Sequence, residues 1–221
     1  EKLFKFYNTD KAEYYKQPHE IKSDKYTEGH GYSKFYVKHF SKLRDKSINL
    51  LEIGSYYGSS AAAFTKFFPN AKIFCLDINL RNFKYKSKNI YPFGLDATNP
   101  KMVKKFLDSI NFNNNSFFDI IIDDGSHLLS HQLKSLDIFY KLVSPGGYYI
   151  IEDYKFCEFF DHLKDTEDPP LSKIIDSIKN NEIPKVKLVN EEMLKILSQK
   201  KDNIFEYKGN QKFSHIVFFK K

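Results

Sequence analysis

Residues 117–153, FFDIIIDDGSHLLSHQLKSLDIFYKLVSPGGYYIIED, decide how the rest of the chain is read. The run Phe118 to Ile122 is apolar apart from one Asp and follows an Asn-rich turn, which marks a short buried strand rather than a helix. It ends in Asp123 and Asp124, followed by Gly125, Ser126 and His127. Leu129, Leu133, Leu136, Tyr140 and Val143 then recur at three- and four-residue steps, the stripe of an amphipathic helix. Pro145-Gly146-Gly147 stops that helix, and Tyr148 to Ile151 forms a second apolar strand ending in Glu152 and Asp153. A strand, a helix and a strand in this order give parallel neighbours joined by a right-handed crossover. Their carboxyl ends lie side by side, at the edge where open α/β sheets bind ligands. Asp124, His127, Glu152 and Asp153 are therefore expected in one place.

Three carboxylates at one sheet edge repel one another unless a positive charge sits among them. A hard divalent cation bound through oxygen answers that need, and Mg²⁺ is the usual one. An imidazole beside it, with a pKa near neutrality, suits a general base. The plainer alternative is that acids end strands because loops are polar, and that His127 caps a turn. Four such residues on adjacent strand ends weigh against it.

Working towards the N-terminus, Asn49 to Ile53 is a short buried strand that runs into Gly54-Ser55-Tyr56-Tyr57-Gly58-Ser59-Ser60 and a helix from about Ala61 to Phe67. Glycines at such a turn let the backbone pass close to a ligand, and the helix start offers free N–H groups. The spacing lacks the Gly-x-Gly-x-x-Gly run of dinucleotide sites, which argues against NAD. A carboxylate at Glu52 suits a ligand with an ammonium group. Lys72 to Leu76 is the next strand with Asp77 at its tip, a position that hydrogen-bonds ribose hydroxyls in doubly wound sheets. Ile90 to Phe93 leads to Gly94-Leu95-Asp96-Ala97-Thr98, where Asp96 is placed to reach an adenine amino group, and a helix follows to Ser109.

The first 30 residues show no clean period. Ser23 to Tyr32 is a Gly-broken loop holding Lys25, His30 and Tyr32, and Ser33 reads as the N-cap of a helix burying Phe35, Tyr36, Phe40 and Leu43. After Asp153 the pattern is irregular, with short helices at Leu171 to Lys179 and Glu191 to Leu197. Ile204 to Tyr207 and His215 to Phe219 read as a closing hairpin. The sum is an α/β chain with a doubly wound, mostly parallel seven-stranded sheet and a C-terminal antiparallel hairpin.

The chain has 221 residues, 41% of them hydrophobic, which suits one domain with a real core. Its formal charge is +7, but the lysines are dispersed and form no nucleic-acid stripe. The balance is a mild pointer to a phosphate-bearing substrate. Cys75 and Cys157 form no metal or disulfide pattern, in keeping with a reducing cytosol. No apolar segment approaches the roughly 20 residues of a membrane span, and a cytoplasmic location is expected.

LLEIGSYYGSS, the Asp77 strand tip, the GLDAT acid and the closing hairpin resemble class I S-adenosylmethionine-dependent methyltransferases. More narrowly, SDKYTEGHGYSKFY, LLEIGSYYGSS, FFPNAKIFCLDI, IIIDDGSH and GGYYIIEDY together are similar to the metal-dependent sugar O-methyltransferases of macrolide biosynthesis, the mycinamicin and tylosin type. The resemblance implies that Asp124, Glu152 and Asp153 bind Mg²⁺ and that His127 accepts the proton. It assigns Glu52, Gly54, Gly58, Ser59 and Asp77 to the S-adenosylmethionine loop and ribose site, and Asp96 with Ala97 to the adenine side. It places Asp124 beside the cofactor and matches Ser23 and Lys25 to a lid loop. The resemblance runs from about Ser23 to Tyr154, and the chain is expected to be one methyltransferase domain, 1–221, of lid and helices (1–45), cofactor and metal core (46–153) and acceptor-side insert with closing hairpin (154–221). The implied partner is a small-molecule sugar, with room for self-association and no nucleic acid. The competing acceptors are a catechol, an amine, a phosphoramidate and, on charge alone, RNA.

Overall fold

The structure, a computed structural model, describes residues 1–16, 25–112 and 117–221. In chain order its elements are α1 (Lys2–Phe6), β1 (Tyr14–Tyr15), β2 (Thr27–Glu28), α2 (Ser33–Phe40), β3 (Asn49–Ile53), α3 (Ser59–Phe67), β4 (Lys72–Asp77), β5 (Ile90–Gly94), α4 (Pro100–Ser109), β6 (Phe118–Asp123), α5 (Leu129–Phe139), β7 (Val143–Ile151), α6 (Phe156–Phe159), α7 (Leu171–Lys179), α8 (Glu191–Gln199), β8 (Ile204–Lys208) and β9 (His215–Lys220).

Seven strands form one sheet in the order β5-β4-β3-β6-β7-β9-β8. β5 to β7 are parallel, and β9 pairs antiparallel with both β7 and β8. Successive side chains of a strand point to opposite faces, and the core divides accordingly. Leu50, Ile120, Ile122 and Ile150 belong to one apolar cluster with Phe35, Phe40 and Phe64 from α2 and α3. Leu51, Ile121 and Ile151 belong to another with Leu133, Leu136 and residues of α4, α7 and α8. Among the described residues no helix is long and apolar enough to cross a membrane.

Three local readings change. α2 ends at Phe40, and Leu43, in the turn that follows it, is only half-buried. Ser33 is not a cap: Tyr32 precedes the helix, and the Ser33 hydroxyl donates to Glu1 Oε2 at 3.1 Å. β7 also starts five residues before Tyr148, because the fully buried Val143 pairs with Phe118. Proline cannot donate to a ladder, and the register shift between Phe118 and Ile120 carries Pro145 and Gly146 (φ +78°) past the partner strand. The apolar stripe therefore continues from helix to strand without a break that periodicity could show.

Candidate active site

The ladder extends past the strands at the end that matters. Asp124 N donates to Ile53 O at 3.0 Å, Glu152 N to Asp123 O at 2.9 Å, and Gly54 N to Leu76 O at 2.8 Å. The turn after β3 is thereby pressed against the tip of β6. A Cβ on Gly54, where φ is +81°, would lie 2.1 Å from Asp124 O, so only glycine fits. Gly58 has φ +76° and opens α3, with Ser59 as that helix's first residue.

A cleft of about 420 Å³ lies along this edge, lined by Gly54, Tyr56, Asp77, Asp96, Ala97 and Asp124 among others. Asp77 is fixed by Tyr56 N (2.7 Å) and Asn79 N (2.9 Å). Asp96 accepts from Thr98 N at 2.8 Å and Thr98 Oγ1 at 2.7 Å. Burial works to raise the Asp96 pKa, but those two bonds outweigh it and hold the carboxyl below its ordinary value. His131 lines the cleft too and meets Ser126 Oγ at 2.7 Å. A smaller recess of about 110 Å³ continues past Gly54 and Asp124 to Thr9, Asp10 and Ser60.

Glu52 sits behind that recess with no exposed surface. Ser60 Oγ donates to its Oε1, while Oε2 has no hydrogen-bond partner among the described residues. Burial pushes its pKa up to about 7, against the pull of Lys11 and Ser60. An orphaned, buried carboxylate oxygen is costly, and an ammonium-bearing ligand would satisfy it.

The acids at the tips of β6 and β7 do converge, in company that the sequence reading lacked. Lys11, 1% exposed, reaches Asp124 Oδ2 at 2.5 Å and Glu152 Oε2 at 2.6 Å. Tyr36 OH donates to Glu152 Oε1, and Tyr32 OH to Asp153 Oδ1. His30 Nδ1 lies 3.4 Å from Asp153 Oδ1 and 2.6 Å from Ser214 Oγ. His127 Nε2 lies 3.9 Å from Asp124 Oδ1, and its ring centroid is 4.9 Å from that of Phe156. One potential ligand atom from each of Asp124, His127 and Asp153 falls within 4.8 Å of the others. Glu152 stands outside this trio, turned to Lys11 and Tyr36.

Burial dominates the electrostatics. It drives the Glu152 pKa to about 8 despite Lys11, and raises that of Asp153 well above its ordinary value, with Asp124 adding to the shift. For Lys11, burial works to lower the pKa, but attraction to Asp124 and Glu152 prevails and the ammonium is retained. Burial lowers the His127 pKa, so its imidazole is neutral at neutral pH. Apart from asparagines, the non-glycine residues at positive φ among the described residues are Tyr56, His127 and Asp153. All three are at this edge, where strained backbone commonly accompanies function.

Lys11, His30, Tyr32 and Tyr36 were not read as site residues. One signal was available. Thr9-Asp10-Lys11 repeats the pattern of Ser23-Asp24-Lys25, and the later copy was matched to the lid. Ser23 lies outside the described residues, and Lys25 is exposed. Tyr36 was read as core, which it is, with its hydroxyl on Glu152.

Residues 51–154 match the family described as "Methyltransferase domain". With the sheet order and the cleft, the match makes the chain similar to the class I S-adenosylmethionine-dependent methyltransferases. Within that class the chain is similar to sugar O-methyltransferases. It is 30% identical over 173 residues to the mycinamicin VI 2''-O-methyltransferase of Micromonospora griseorubida, covering 70% of this chain and 41% of the relative. It is 24% identical over 168 residues to the 8-demethyl-8-alpha-L-rhamnosyl tetracenomycin-C 2'-O-methyltransferase of Streptomyces olivaceus, covering 70% and 43%. The solved structure of the MycE methyltransferase in complex with Mg, SAH and mycinamycin VI matches with a TM-score of 0.67 and 22% identity, over 100% of this chain and 53% of that one. The chain thus spans about two fifths to a half of the length of these relatives.

Proposed function

We propose that the chain transfers the methyl group of S-adenosylmethionine to a hydroxyl of a sugar. The observation that carries this reading is the double position of Asp124, which lines the cleft and also belongs to the acid cluster. Cofactor and acceptor would then meet at one side chain. The names of the relatives, which methylate sugar 2'- and 2''-hydroxyls, support the acceptor class.

The residues present fit the cofactor. Glu52 Oε2 would take the ammonium of the methionine part, Asp77 the ribose hydroxyls, and Asp96 with Ala97 the adenine side. Gly54, Gly58 and Ser59 leave the backbone open to it. The acids fit a divalent cation equally well: Asp124, Glu152 and Asp153 offer three carboxyl groups against the single ammonium of Lys11, and a bound cation would displace the protons that burial favours on Glu152 and Asp153. Asp124 and Asp153 would hold the ion, with Glu152 completing the set beside Lys11. When bound, Mg²⁺ would make the sugar hydroxyl more acidic and orient it. His127 would then accept the hydroxyl proton at Nε2, a role that its neutral imidazole permits. Phe156, against the same ring, offers an apolar face for the sugar's C–H bonds.

Calorimetry with S-adenosylhomocysteine is the test. Binding is expected in the micromolar range, about −8 kcal/mol, weakened at least tenfold by Glu52→Gln. No binding by the wild-type chain would refute the proposal.

A further inference from the structure

The acid cluster contains a cation of its own. Lys11 bridges Asp124 and Glu152 at 2.5 and 2.6 Å with 1% of its side-chain surface exposed. It is not a side chain that swings in from solvent. Its carbonyl accepts from Tyr32 N at 2.9 Å, and the flanking backbone is tied by His30 N to Asp10 O (2.7 Å) and Gly31 N to Ala12 O (3.0 Å). Gly29 packs so close that a Cβ there would lie 2.2 Å from Ala12 O. Tyr32, which clamps Lys11 through its backbone, also donates its hydroxyl to Asp153. The ammonium is thus built into the site at a fixed place, between two of the three acids.

We propose that Lys11 sets the valence of the ion this site takes. Ionised, as the ligands of a bound cation are, the three carboxylates and the one ammonium sum to −2, which a divalent ion neutralises. Without Lys11 the same groups would sum to −3 and favour a trivalent ion. The inference rests on the cation site proposed above. Lys11 acts through Asp124 and Glu152 and is a positioning residue.

The test compares Mn²⁺, followed by electron paramagnetic resonance, with Tb³⁺, followed by luminescence. The chain has 15 Tyr and no Trp, so tyrosine is the sensitiser, and Tyr32 and Tyr36 stand on the acids themselves. The readout is the preference for Tb³⁺ over Mn²⁺, the ratio of their two dissociation constants. One extra unit charge a few ångströms away, in the screened interior of a protein, changes that preference by about tenfold or more. Lys11→Met should therefore raise it by at least that factor, and Glu152→Gln should lower it comparably. The double variant, with the charge restored, should return to the wild-type preference even if both affinities are lower. If Lys11 merely braces the fold, the two affinities in Lys11→Met fall together, the ratio stays flat and the proposal is overturned. A double variant that fails to return to the wild-type ratio overturns it too. Should Lys11→Met alone not fold, comparing Glu152→Gln with the double variant still decides. A wild-type chain that binds neither ion would remove the cation site itself, whereas a flat ratio over tight binding removes only the role of Lys11.

Discussion

The two halves of the site are assembled in opposite ways. On the cofactor side, polar groups are held from nearby in sequence: Asp96 by Thr98, Asp77 by Asn79 and Tyr56, Glu52 by Ser60. On the acid side, the partners come from the N-terminal segment, with Lys11 113 positions from Asp124 and 141 from Glu152, and Tyr32 121 from Asp153. The first half is a property of strand–turn–helix units. The second exists only when the segment carrying Lys11 and Tyr32 is folded against the sheet edge. Damage to the N-terminal segment should therefore ruin the acid cluster and open the recess walled by Thr9 and Asp10, while sparing the part of the cleft lined by Asp77 and Asp96.

The largest effect expected is at His127, which serves only the acid side. His127→Ala should lower turnover by about 10²–10⁴-fold while leaving S-adenosylhomocysteine affinity unchanged. The limb of the rate profile that rises through the imidazole pKa should disappear with it. Burial places that limb below the ordinary histidine value. If Mn²⁺ affinity falls instead, with the pH limb intact, His127 is a ligand rather than a base. His131 is unsuitable as a control, because it lines the cleft.

Next in size is Asp77→Ala, the corresponding probe of the cofactor side. It should weaken S-adenosylhomocysteine binding by about 1–3 kcal/mol and leave Mn²⁺ affinity alone. A loss of both together would mean that the two halves are not separable. Tyr36→Phe sharpens the comparison from the other direction. It strips a hydrogen bond from the buried Glu152 and should cost about 1–3 kcal/mol of stability, read by urea unfolding, with cofactor affinity retained.

The difference between the halves also explains what could be read in advance. β3, its glycine turn and the acids ending β4 and β6 are local patterns, and periodicity with turn chemistry placed them within a residue or two. The convergence of Asp124 and Asp153 followed from the parallel pairing of β6 and β7. Lys11 did not follow, because a lysine in an aperiodic segment carries no mark of burial. Only packing makes it the counter-charge of two acids. The same limit applies to Glu152, whose strand-end position was clear but whose direction, towards Tyr36, depends on α2. Val143 was misplaced for a related reason: a buried valine looks the same at the end of a helix and at the start of a strand.

The smallest effect expected is a pH dependence on the cofactor side. Glu52 has its pKa raised to about 7 in the ligand-free chain, so between its ordinary value and 7 the folded state binds more protons than the unfolded one. Stability then declines as pH rises through that window and levels off above it. Cofactor binding to the ionised form runs the other way: affinity should rise from about pH 5 to pH 7 and then flatten, with a slope no steeper than about tenfold per pH unit for one proton. Glu52→Gln should abolish the slope. A slope that survives the substitution would assign the titration to another group.

The central claim is that cofactor and cation meet at Asp124, and it is most directly tested by crystals grown with S-adenosylhomocysteine and Mn²⁺ and measured at the manganese absorption edge. The account predicts an anomalous peak bonded to Asp124 and Asp153, S-adenosylhomocysteine in the cleft beside Asp77 and Asp96, and Lys11 still on Asp124 and Glu152. A peak elsewhere, or Lys11 in contact with the acids and no manganese at Asp124, would contradict it.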